Sequence, residues 1–201
     1  MIDKIYVFDD IINLNYQTRI KDVLLGDGVF NNKSFPWYYI PDITYNDNLE
    51  NQDRCGFEHY FANENDGIVS PFHPFFVKLI QNSCRKIKVK KVDILQARSF
   101  FQLPTNILKE EVDNPHINLF NVDHFVMLYY VCDSDGDTII YNEKEKSESY
   151  TIKKKITPKQ GRVVLFDGRF YHTDEQPNFS KRCIINYDLR DLSQVTTGVG
   201  I

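Results

Sequence analysis

His172 closes the segment Gly161-Arg-Val-Val-Leu-Phe-Asp-Gly-Arg-Phe-Tyr-His172, and Arg182 opens the next apolar run, Arg-Cys-Ile-Ile-Asn-Tyr. Imidazole is a common metal ligand, and guanidinium grips a carboxylate with two parallel N–H groups. Upstream, His116 and Asn118 stand two residues apart. On a strand that spacing turns both side chains to one face, so they can hold one object between them. Two imidazoles and one oxygen donor, with further positions left open, make the donor set of a non-haem Fe(II) centre. The metal-binding residues are therefore read as His116, Asn118 and His172. Residue 118 brings an amide where a carboxylate would be the stronger donor to a hard cation. Asp123, on the loop that follows, is an alternative oxygen donor.

Such ligands need a rigid frame, and the chain supplies strands for it. From Val92 onward short apolar runs alternate with turn signals: Val92–Phe101, His116–Asn118, Phe125–Val131, Thr138–Tyr141, Tyr150–Ile156, Arg162–Phe166 and Arg182–Leu189. That pattern predicts a barrel or a two-sheet sandwich. Before it, Ile2–Phe8 reads as a strand. Ile11–Leu25 reads as a helix, with Ile12, Tyr16, Ile20, Val23 and Leu24 at helical spacing. Pro74–Cys84 reads as a second helix with Phe75, Phe76, Leu79 and Ile80 on its apolar side. Phe35–Pro41 is aromatic and extended, since prolines at both ends forbid a regular helix. Residues 42–70 are rich in Asn, Asp and Gly and read as a long loop. Helices first and strands later predict helices packed outside a β core. Asp133-Ser-Asp-Gly-Asp137 superficially resembles a calcium loop, but its sixth and twelfth positions hold Thr138 and Lys144 instead of Gly and Glu, so it reads as a tight turn.

The length of 201 residues fits one domain with a substantial core. A formal net charge of −4 argues against general binding to nucleic-acid phosphates. The basic runs at 85–91 and 153–155 suit solvated strand edges. No apolar run approaches membrane-spanning length and no signal-peptide core is seen at the N-terminus, so the chain reads as intracellular and cytoplasmic, with no membrane partner. The four cysteines are scattered without a CxxC pair, which argues against zinc and disulfide frameworks.

The order His116-x-Asn118, Phe125-Val-Met-Leu-Tyr-Tyr-Val131, Asp135-Gly-Asp-Thr138, Gly161–Phe166, His172, Arg182 resembles the Fe(II)/2-oxoglutarate-dependent dioxygenases, and most nearly their prolyl-4-hydroxylase-like branch. It is also similar to short members carried by viruses of bacteria. The branch carries His-x-Asp, a strand with paired tyrosines, a Gly-containing turn, a distal His, and an Arg nine to eleven residues beyond it. Asn118 departs from that pattern. The resemblance implies a mainly β fold with flanking helices, a double-stranded β-helix or jelly roll. It also implies one domain over 1–201, with helical support over 1–91 and a jelly-roll core over 92–190.

It further implies Fe(II) at His116, Asn118 and His172. The far carboxylate of the co-substrate 2-oxoglutarate would lie on Arg182, with Tyr130 and Asn186 as further contacts. The implied activity is hydroxylation of a C–H bond in a peptidyl, prolyl-like or small-molecule substrate, with release of succinate and CO2. The amide at 118 supports an alternative, a catalytically impaired relative that keeps the barrel as a binding module.

Overall fold

Apolar runs become strands and two amphipathic segments become helices. In chain order the elements are β1 (Tyr6–Phe8), α1 (Leu14–Leu25), β2 (Val29–Phe30), β3 (Lys33–Ser34), β4 (Tyr38–Ile40), β5 (Gly56–Asn63), β6 (Gly67–Ile68), α2 (His73–Lys86), β7 (Val92–Gln102), β8 (Phe125–Tyr130), β9 (Thr138–Tyr141), β10 (Ile152–Ile156), β11 (Val163–Asp167), β12 (His172–Asp174) and β13 (Arg182–Asp191). They belong to a computed structural model that describes residues 4–41, 43, 55–104 and 114–193. Among the described residues, no helix is long and apolar enough to cross a membrane.

The larger sheet runs β1-β11-β8-β13-β7-β5-β4, with β6 beside β5. The smaller sheet runs β10-β9-β12. Neighbouring strands pair antiparallel throughout. One buried cluster joins Ile140 and Ile156 of the smaller sheet to Phe100, Val126, Leu128, Tyr130, Val164, Phe166 and Ile184 of the larger one. The two sheets therefore face each other across a shared interior, which is the double-stranded β-helix.

Strand alternation decides what each face does. On β8, Val126, Leu128 and Tyr130 point into that interior, while Phe125, Met127 and Tyr129 join a second cluster under the helices. On β13, Cys183, Ile185, Tyr187 and Leu189 face the helices. Arg182, Ile184 and Asn186 line the interior. A strand buried on both faces carries no polar alternation, which explains the unbroken apolar run of β8. The helices cover the outer face through Ile20, Val23 and Leu24 of α1 and Phe75, Phe76, Leu79 and Ile80 of α2.

Several expectations shift. Asn13 caps α1 by accepting from Tyr16 N–H at 2.9 Å, so the helix begins at Leu14 and leaves the buried Ile11 and Ile12 before it. The expected loop over 42–70 contains β5 and β6, although residues 42 and 44–54 lie outside the described residues. β1, β4, β5 and β6 all join the larger sheet, so that sheet draws on the chain before residue 92 as well as after it. The start of the expected strand Ile2–Phe8 also falls outside the described residues.

Candidate active site

The site begins with a chain crossing. β11 ends at Asp167, and Gly168 follows it. A side chain at 168 would collide with the His124 ring, its Cβ only 2.1 Å from Nε2, so glycine is what allows this close approach. The chain then crosses to the smaller sheet, where His172 starts β12 against Ile140 of β9. His172 also forms an isolated antiparallel bridge with His116. Each backbone N–H donates to the other's carbonyl at 3.0 Å. This fixes the two imidazoles side by side, with ring centroids 4.7 Å apart. The expected strand 116–118 is thus a single bridge, and its one pairing is with the other histidine.

Both rings turn Nδ1 toward a backbone carbonyl, His116 to Asn114 at 3.2 Å and His172 to Phe170 at 3.1 Å. A proton held on Nδ1 leaves Nε2 as a lone-pair donor, the usual arrangement of a metal-binding histidine. His172 is buried, and loss of solvent together with the neighbouring His116 pulls its pKa down to about 3. His116 keeps part of its surface open at the rim, and loss of solvation by the surrounding protein lowers its pKa too. Both are neutral near pH 7, as ligands must be.

The two histidines line a cavity of about 410 Å³ together with Asn118, Arg98, Gln102, Asp174, Arg182 and Asn186. Among the described residues, no three His, Cys, Asp or Glu side chains gather as a cation site. The donors that do gather are two neutral imidazoles and the amide of Asn118, and this set fits a divalent transition metal with open positions. Asp123 is exposed, outside the lining, and its charge acts on Arg169.

Arg182, the first residue of β13, is 1 % exposed. Its Nε donates to Gly136 O at 3.1 Å and its Nη1 to Gln102 Oε1 at 3.0 Å. Its Nη2 donates to Thr138 Oγ1 at 2.9 Å and Asp174 Oδ1 at 2.5 Å. The guanidinium that was expected to meet an external carboxylate thus already holds an internal one. Gly136 makes room for it: a Cβ there would lie 2.5 Å from Glu175 O and 3.2 Å from the Arg182 stem. Tyr130 lies on the inner face, fully buried, and is not part of the cavity lining. Its hydroxyl lies near Thr138 and Arg182 without a hydrogen bond of good geometry to the described residues, and burial raises its pKa. Asn186 lines the cavity, opposite Arg98 on β7. Its Oδ1 is buried without a partner among the described residues.

Two carboxylates escaped the sequence reading. Asp174 follows His172 by two residues and therefore shares its side of β12, a signal that strand alternation offers. Asp188 lies six residues beyond Arg182 on the same face of β13 and accepts from Asn118 Nδ2 at 2.8 Å. Burial raises its pKa, opposed by the charge of Arg98 and the Asn118 hydrogen bond.

No family model matches this chain, and no curated protein matches it in sequence. Solved structures do match in fold. The viral collagen prolyl hydroxylase of Paramecium bursaria Chlorella virus-1, in its 2-oxoglutarate complex, aligns with a TM-score of 0.59 at 12 % identity, covering 94 % of this chain and 96 % of that one. An oxidoreductase of the 2-oxoglutarate-Fe(II) oxygenase family from Burkholderia pseudomallei aligns at 0.66 with 10 % identity, covering 93 % and 85 %. HygX from Streptomyces hygroscopicus, solved with nickel, 2-oxoglutarate and hygromycin B, aligns at 0.58 with 8 % identity, covering 94 % and 83 %. The chain carries the double-stranded β-helix fold of the 2-oxoglutarate/Fe(II) oxygenases.

Proposed function

We propose that this chain is an Fe(II)- and 2-oxoglutarate-dependent dioxygenase that hydroxylates a C–H bond and releases succinate and CO2. The observation that carries this reading is the His116–His172 bridge, which presents two neutral imidazoles to a cavity that also holds Arg182 and Asn118. When bound, the metal and 2-oxoglutarate would supply oxidation of an unactivated C–H bond by dioxygen. The chain's own part is placement. His116 and His172 would offer Nε2 to the metal, and Asn118 would offer its oxygen. Arg182 would meet the far carboxylate of 2-oxoglutarate with Asn186 beside it, while Tyr130, outside the cavity lining, stays near the guanidinium. A fixed cation suits that end of a dianion, because guanidinium does not deprotonate. Leu128 and Ile184 add apolar wall to the cavity. A peptidyl, prolyl-like substrate is supported by the fold shared with the viral collagen prolyl hydroxylase, and a small molecule by the fold shared with HygX.

A second reading, a binding module without turnover, is favoured by the Asp174 carboxylate already seated on Arg182 and by the amide at 118. Succinate release separates the two. Incubated in air with Fe(II) and 2-oxoglutarate, the native chain should form succinate, and the His172→Ala variant should form none. Binding of 2-oxoglutarate without any succinate would favour the module.

A further inference from the structure

We propose that Asp188 is the positioning residue that makes Asn118 an oxygen donor to the metal, an inference that rests on the reading of the His116–His172 site given above. Asn118 Nδ2 donates to Asp188 Oδ1 at 2.8 Å. The nitrogen is thus the end of the amide that faces Asp188, and the amide oxygen is the end turned away. Asn118 lines the cavity and Asp188 does not, so the side away from Asp188 is the cavity side. The hydrogen bond therefore settles which end of the amide a metal between the histidines would meet.

Asp188 also feels the charge of Arg98, but among the described residues its side chain accepts a hydrogen bond from Asn118 alone. It is fully buried on β13, opposite Val126 of β8 and Gln96 of β7. Its Oδ2 has no partner among the described residues. His124 Nε2 lies 3.8 Å from Oδ1, beyond hydrogen-bond reach, and the same ring directs Nδ1 to Val122 O at 2.7 Å. An incompletely satisfied buried carboxyl is costly, and an apolar side chain of similar size would pack here at less cost to the fold. What the carboxyl adds is a partner for Asn118. A carboxylate behind a ligand fixes its orientation and strengthens it as a donor. An amide polarised in this way becomes a better oxygen donor than an isolated one. Residues 118 and 188 thus form one acid–amide unit, with the amide in front and the acid one hydrogen bond behind it.

Mn(II) alone, titrated into the full chain and followed by loss of the free-ion paramagnetic resonance signal, tests the unit without any turnover. Asp188→Asn keeps the shape but replaces a charged acceptor with a neutral amide that can present either end, and should weaken Mn(II) binding by about 10–100-fold. The exchange variant, Asn118→Asp with Asp188→Asn, rebuilds an acid–amide pair with its members swapped. It should bind Mn(II) more tightly than Asn118→Asp alone, in which two carboxylates face each other, a difference that an Asp188 without a role at residue 118 would not give. Melting temperatures of the metal-free proteins report folding. Should Asp188→Asn fail to fold, the exchange variant decides: a native melting temperature with Mn(II) binding lost overturns the proposal. Mn(II) affinity in folded Asp188→Asn within about twofold of native, while His172→Ala abolishes binding, also overturns it and leaves the metal site standing. Native Mn(II) binding that survives both His116→Ala and His172→Ala would overturn the site reading and this inference with it.

Discussion

Asp174 and Arg182 decide how the cavity meets an acid. Nη2 of the arginine is shared between Thr138 Oγ1 and the Asp174 carboxylate, so an incoming carboxylate must compete with an anion already in place. Asp174→Asn keeps the shape and removes the competing charge. It should tighten 2-oxoglutarate binding about tenfold, read by calorimetric titration, because the desolvated guanidinium then gains its anionic partner from the ligand. It should also lower the stability of the ligand-free protein by about 1–3 kcal/mol, since a largely buried charged hydrogen bond is lost. Unchanged affinity would show that Asp174 does not occupy the co-substrate's seat. The sequence displayed the chemistry-bearing residues here but not their partners. His116, His172 and Arg182 stood out by type and spacing. Asp188 and Gln102 did not, because their partners lie 70 and 80 residues away along the chain.

At the scale of elements, the turn between β8 and β9 sets the position of Arg182. Gly136 lies between the Glu175 carbonyl and the arginine stem, and its own carbonyl receives Nε. Gly136→Ala would put a methyl group 2.5 Å from Glu175 O, a backbone atom with little freedom to retreat. The variant should lose about 1–3 kcal/mol of stability, seen as a lowered melting temperature. A native melting temperature would mean that the turn yields easily. The same scale explains what could be read from the chain. β7, β8, β9 and β13 carry long apolar or alternating runs, and their bounds fall close to those expected. β12 is three residues long with a polar sequence, and only its partner β9 makes it a strand. β5 was hidden because its pairing with β7 shifts register between Tyr60 and Ala62, which breaks the two-residue period of its apolar positions.

For the whole molecule, the ionisable groups with shifted pKa values set the response to acid. Asp167 is pulled down to about 2, against its burial, by hydrogen bonds from Arg169 and Lys144. Asp135 is also near 2, held there against burial by Ser180 and by the backbone N–H groups of Phe179 and Asn178. A carboxylate with a lowered folded pKa contributes stability above its unfolded value and loses it as pH falls through the folded one. Here that window runs from about pH 4 to about pH 2. His172 acts in the same direction from higher pH. It stays neutral in the fold down to about 3 but takes up a proton on unfolding below about pH 6.5, so stability declines across that interval. The melting temperature of the metal-free chain should therefore fall steadily on acidification from pH 6.5, and Asp167→Asn should flatten the part below about pH 4. The central claim, that His116 and His172 hold iron within reach of 2-oxoglutarate, meets its most direct test in one anaerobic titration. Fe(II) and 2-oxoglutarate added together to the native chain should produce the weak visible charge-transfer band of a chelated oxoacid. The same additions to His116→Ala and His172→Ala should produce none. A native chain without the band, or a band that survives loss of either histidine, would contradict the account.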